Sequence, residues 1–97
     1  MADTADVIVV GGGVNGASIA WALASRGVGR VVLCEKGALA SGASGRSSAL
    51  VRMHYTNETD ARLAFASFPI FRHWTELMGG GPSVFTHTGF VNVVAPP

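Results

Sequence analysis

The run Gly11-Gly12-Gly13-Val14-Asn15-Gly16 constrains this chain more than any other feature, because of what flanks it. Before it lies the apolar run Val7-Ile8-Val9-Val10, and after it a stretch rich in alanine that reads as a helix. Gly11, Gly13 and Gly16 fill the three places of a G-x-G-x-x-G fingerprint. Gly11 lets the chain turn sharply as it leaves a strand. Gly13 has no Cβ, so a pyrophosphate can approach the backbone. Gly16 lets the helix sit tightly on the sheet. The unpaired N–H groups of the helix start and the positive end of its dipole then face an anion.

The wider spacing supports the same reading. A second apolar run, Val31-Val32-Leu33-Cys34, ends on Glu35, nineteen residues beyond Gly16. A carboxylate about 20 residues past the fingerprint is placed to accept hydrogen bonds from a ribose diol. A glycine-rich turn in an unrelated α/β domain is the bland alternative, and it leaves the strand, helix, strand and acid unexplained together. The stretch 6–36 reads as a βαβ unit with an adenine dinucleotide site.

Two strong parallel strands are fewer than a doubly wound domain uses. The chain of 97 residues also finishes on an apolar, strand-like run, Val91-Asn92-Val93-Val94-Ala95-Pro96-Pro97. It reads as the N-terminal piece of a larger protein, incomplete alone. The net charge of +1 and seven scattered basic residues give no basis for binding nucleic acid. Cys34 is the single cysteine, and is expected to be a small buried hydrophobe. Residues 7–25 carry no charge, long enough to suggest a membrane span, but glycines and Asn15 interrupt them. The acidic start Asp3 to Asp6 lacks the basic region of a secretory signal, so a cytoplasmic protein away from membranes is expected.

The first helix is expected to start at Val14 or Asn15 and stop at Gly27. Ala17, Ala20 and Ala24 would face the sheet, and Trp21 would join the core. Residues 37–48, GALASGASGRSS, have a linker's composition but occupy a ligand loop's position at the carboxyl end of a strand. Thr56 to Asp60 offers capping chemistry for another helix. Leu63, Phe68, Phe71, Trp74 and Leu77 mark its apolar stripe, which Pro69 should kink or split near Ser67. Phe85 and residues 89–95 read as strands. His54, His73 and His87 lack metal-ligand spacing, and no metal site is expected.

In its fingerprint, Glu35-Lys36 and SGASGRSSALVRMHY, the chain resembles the D-amino-acid-oxidase-like family of FAD-dependent oxidoreductases. The nearest group is that of sarcosine oxidase and dimethylglycine dehydrogenase. The resemblance covers about residues 6–95, and its specific part is 42–55 with the helix to Leu77 and the Thr88-Gly89-Phe90 strand entry that follow. It implies the N-terminal portion of a Rossmann-like FAD-binding domain, 1–78, followed by the first strands of a substrate domain, 79–97. It implies FAD as cofactor, with Val14 and Asn15 at the pyrophosphate, Glu35 at the adenosine ribose and Lys36 beside the adenine. Ala43, Ser44, Arg46, Ser47 and Ser48 would line the pyrophosphate and flavin side of the loop. Some members attach flavin through a histidine in this loop; here the loop holds Arg46 and no histidine. Arg52 matches an arginine that approaches the substrate carboxylate, although a surface charge is the alternative.

The resemblance therefore implies oxidation of the C–N bond of an amino acid or N-methylated amine. The implied partners are that small molecule and the remainder of the enzyme or a complementary subunit. An NAD(P)-dependent dehydrogenase and a non-catalytic nucleotide-binding subunit remain as alternatives.

Overall fold

The computed structural model describes residues 4–96. These fall into two compact units divided between Leu50 and Val51. The first holds the βαβ unit, and its order is β1 (Val7–Val10), α1 (Val14–Ser25) and β2 (Val31–Cys34). β1 and β2 pair in parallel, with Val7 opposite Val31 and Val10 opposite Cys34. The ladder extends at both ends. Asp6 N–H donates to the Arg30 carbonyl at 2.9 Å, and Gly11 N–H to the Cys34 carbonyl at 2.8 Å. Asp6 also accepts the Arg30 amide proton on its carboxylate at 2.7 Å. The strand–helix–strand order read from the sequence is therefore present.

α1 stops where expected. The Arg26 amide bonds back to the Ala22 carbonyl, and Gly27 follows in the left-handed region at φ 68°. That conformation carries no Cβ penalty for glycine. Which face of α1 turns inward differs from the expectation. Gly16, Ala20 and Leu23 are half-buried, whereas Ala17 and Ala24 are exposed. A helix face follows the i, i+4, i+7 row, and here Gly16 sets that row by touching the turn. Trp21 is 40% exposed, and Cys34 is also exposed rather than buried. Cys34 ends β2, where side chains alternate, and Leu33 takes the inward position near Gly16.

The second unit is organised by α2 (Glu58–Arg72) and α3 (Trp74–Leu77). Asn57 caps α2, its side-chain oxygen accepting the Asp60 amide proton at 2.8 Å. Glu58 and Asp60 occupy the first turn and Arg72 the last, matching the helix dipole. Pro69 does not split α2 near Ser67. The helix runs through it and breaks at His73, whose φ of −106° and ψ of 23° separate α2 from α3. Proline removes one amide and crowds one carbonyl, that of Phe65. The flanking bonds persist, with His73 N–H donating to Pro69 O at 2.9 Å and Ser67 Oγ to Leu63 O at 2.9 Å.

Phe68 and Phe85 meet edge to face with centroids 5.5 Å apart, and Phe85 stacks on His87 at 6.1 Å. The guanidinium of Arg72 lies over Phe68 at 5.7 Å. The apolar stripe is only partly used, since Leu63 is 69% exposed and Leu77 46% exposed. Residues 85 and 89–95 form no strand. A strand needs a paired ladder, and among the described residues the only ladder is β1–β2. Among the described residues no apolar side chain is fully enclosed.

Candidate functional site

The site is built on the turn between β1 and α1. Gly11 has φ 105°, which only glycine adopts without strain, and it swings the chain out of the strand. A Cβ on Gly16 would overlap the Gly11 carbonyl oxygen, so the helix can approach the turn only because residue 16 lacks one. Both glycines therefore do the work that the fingerprint assigns them. Gly13 is the N-cap of α1, with extended backbone and no side chain to cap the helix. The first turn of α1 holds no acidic residue. An anion approaching this end meets no repelling carboxylate on the helix's own first turn.

Glu35 leaves β2 and turns back over the glycine run. One carboxylate oxygen accepts the Gly12 amide proton at 2.7 Å, and the other accepts that of Gly37 at 2.9 Å. The Gly12 bond, then that of Gly37, hold its pKa below the ordinary carboxylate value. The carboxylate stays ionised and fixed in direction. Each oxygen keeps lone-pair capacity for a further donor, as a ribose diol requires.

Residues 37–48 are not a free linker. The Ala40 amide donates to the Gly12 carbonyl at 2.9 Å, and Ser44 Oγ accepts the Val14 amide proton at 2.9 Å. Ala40 stands in the left-handed region at φ 60°, an uncommon conformation for a residue with a Cβ. A Cβ on Gly45 would overlap the Ala40 carbonyl oxygen, so glycine is needed there for the loop to close on itself. Ser44–Arg46 forms one 3-10 turn, and Ser47 Oγ accepts the Ala49 amide proton at 3.0 Å.

Of the residues singled out in the sequence, Gly11, Gly13, Val14, Gly16, Glu35 and Ser44 come together around this turn. Asn15 lies beside them on the first turn of α1, and Lys36 follows Glu35. Ala43, Arg46, Ser47 and Ser48 follow in the tethered loop. Arg52 belongs to the second unit, where its guanidinium sits 4.9 Å above the Tyr55 ring. Tyr55 also lines an open depression of about 230 Å³ with Asp60, Leu63, Ala64 and Ser67.

The sequence reading missed Gly12. It is the only buried residue among those described, and a Cβ there would come within 2.6 Å of Leu39 and 3.0 Å of Glu35. A glycine in the middle of three, at a place the fingerprint leaves open, was the available signal. The contribution of Leu39 and Ala40 had no local signal, because it depends on contacts made across the turn.

The model of the FAD dependent oxidoreductase family matches residues 6–96. Two curated relatives match parts of the chain. D-erythritol 1-phosphate dehydrogenase of Brucella abortus (strain 2308) is 53% identical over 49 residues, 50% of this chain and 10% of that protein. Glycerol-3-phosphate dehydrogenase of Pseudomonas tolaasii is 45% identical over 65 residues, 65% of this chain and 12% of that protein. The matched stretches thus span about a tenth of the relatives' length. No solved structure matches the chain. The glycine turn, the glycine-capped helix end and the braced carboxylate fit the adenosine diphosphate portion of FAD.

Proposed function

The chain belongs to the FAD dependent oxidoreductase family, and from that premise we propose that it forms the dinucleotide-binding start of an enzyme that oxidises a C–N bond. The substrate in this reading is an amino acid or N-methylated amine. The observation that carries the nucleotide part is the bracing of Glu35 by Gly12 and Gly37 beside a helix end whose N-cap is glycine. Glu35 would hold the ribose, the first turn of α1 the pyrophosphate, and the Ser44–Arg46 turn the loop side of the cofactor. When bound, FAD supplies the hydride acceptor.

The amine reading rests on the segment 42–55 and on Arg52. The substrate carbon loses a hydride while the nitrogen lone pair forms the C=N bond, and water then hydrolyses the imine. If the amine binds neutral, no catalytic base is needed. Arg52 would orient the substrate through its carboxylate, using the two parallel donors of the guanidinium.

The two relatives favour a second reading, in which the substrate is a phosphorylated polyol and the hydride leaves a carbinol carbon. An arginine suits a phosphate as well as a carboxylate. The relatives' matched stretches cover only about a tenth of their length, so most of each relative lies outside the match. For that reason the amine reading is kept ahead.

Anaerobic mixing of the full-length flavoprotein with candidate substrates separates the two. Bleaching of the flavin by N-methylated or D-amino acids, and not by glycerol 3-phosphate or erythritol phosphate, is expected. The opposite pattern establishes the polyol reading. A purified protein without a flavin spectrum, reduced by neither class, overturns both.

A further inference from the structure

Arg52 and Tyr55 meet within the second unit. The guanidinium carbon of Arg52 lies over the Tyr55 ring, 4.9 Å from its centroid. Among the described residues the Arg52 guanidinium makes no hydrogen bond and no ion pair. Arg62, in the same unit, spends its charge on Glu58 at 2.6 Å. Arg52 is thus a cation held by an aromatic face and left without a carboxylate.

This kind of hold leaves the arginine able to bind. The ring face attracts the charge, but it does not take up the N–H donors as a carboxylate oxygen would. The donors in the guanidinium plane stay available for a planar anion, which two parallel bonds can grip. Tyr55 itself has a backing. It lines an open depression with Asp60, Leu63, Ala64 and Ser67 of α2. Asp60, Ala64 and Ser67 share one face of that helix, and Asn57 caps its start. The ring therefore ties the arginine to the capped end of α2 instead of leaving it to swing freely.

We propose that Tyr55 is a positioning residue that holds the Arg52 guanidinium by the face of its ring, ready for the carboxylate of the substrate. This rests on the amine reading above, with Arg52 as its carboxylate ligand, and adds the group that aims the arginine.

The test is anaerobic rapid mixing of the full-length flavoprotein with an N-methylated amino acid and with the matching amine that lacks the carboxylate. The rate of flavin bleaching against substrate concentration gives an apparent second-order constant for each. Tyr55→Leu should lower the constant for the amino acid by about two- to five-fold, the range of an exposed cation–π contact, and leave the plain amine nearly unchanged. Tyr55→Phe keeps the ring and should recover most of the loss. Added to Arg52→Ala, Tyr55→Leu should cost nothing further, because the side chain it positions is already gone. Tyr55→Met takes the place of Tyr55→Leu if that variant does not fold. Equal losses on the two amines would reduce Tyr55 to a support of the fold and overturn the proposal. A loss in Tyr55→Phe as large as in Tyr55→Leu, an undiminished loss beside Arg52→Ala, or no loss at all would overturn it too. An unaltered flavoprotein that the amino acid does not bleach would instead overturn the amine reading, and the role of Tyr55 with it.

Discussion

Glu35 and Gly12 are joined by a 2.7 Å hydrogen bond from the glycine amide to the carboxylate. The bond links the end of one strand to the turn that leaves the other. In the proposed reading, the residue assigned to the ribose is thus fixed from behind by the turn assigned to the phosphate. Removing the carboxylate should disturb both. In the full-length enzyme, Glu35→Ala should weaken FAD binding by roughly ten- to a hundred-fold, as expected when charge-assisted hydrogen bonds are lost. Unchanged affinity in a titration of folded apoenzyme would reject the assignment.

The same bond gives a pH dependence. The folded pKa of Glu35 lies below its ordinary value, so its contribution to stability is fully present above the ordinary value. It is lost as pH falls through the lowered one. Glu35→Gln cannot titrate and should flatten that part of the stability profile. Parallel acid-unfolding profiles of the two proteins would contradict this.

Gly16 and Gly42 make a matched pair. A Cβ at Gly16 would overlap the Gly11 carbonyl oxygen, while at Gly42 it would meet nothing within 4 Å. Gly16→Ala should destabilise by about 1–3 kcal/mol, the usual range for overpacking, and should also weaken FAD binding. Gly42→Ala should stay within about 0.5 kcal/mol of the parent. Denaturant titrations of both variants check the contrast.

The Asn57 cap supports α2 alone. Asn57→Ala removes the acceptor for the Asp60 amide and should cost about 1 kcal/mol. Asn57→Ser should retain most of it. Equal midpoints for all three proteins would show that the cap is not limiting.

Arg52 separates the two substrate readings from a merely structural role. Arg52→Ala should lower kcat/KM for a carboxylated amine by about 2–4 kcal/mol, as for truncation of one partner in a charge pair. Arg52→Lys should fall between, because lysine keeps the charge and loses the fork. An amine without a carboxylate should be far less affected. Equal losses on both amines, with FAD retained, would make Arg52 a support of the fold or cofactor.

The parts of this molecule that local chemistry decides could be read from the sequence. Val7 to Val10 and Val31 to Cys34 are apolar runs that form strands, Gly27 stops α1, and Asn57 caps α2. The glycine fingerprint gave Gly11 and Gly16 their roles, and the structure supplies the contacts that make those roles necessary. What depended on partners distant in sequence was not legible. The apolar run 89–95 has strand propensity but no ladder among the described residues. The inward face of α1 was set by Gly16 touching Gly11, a contact that alanine counting does not reveal. The Ser44–Val14 and Ala40–Gly12 bonds cross from loop to turn, so the linker-like composition of 37–48 concealed a fixed element. Pro69 was read by its usual effect, yet the bonds around it kept α2 continuous.

The absence of any fully enclosed apolar side chain among the described residues bears on thermal behaviour. The heat capacity gained on unfolding tracks apolar surface newly wetted, and is typically about 12–15 cal/mol/K per residue. Ile8 at 63% exposure and Val10 at 84% are largely wetted already. A polypeptide of these 97 residues should therefore have an unusually small increment. In a calorimeter it should give a broad, shallow endotherm, and its stability should vary little in slope between cold and warm.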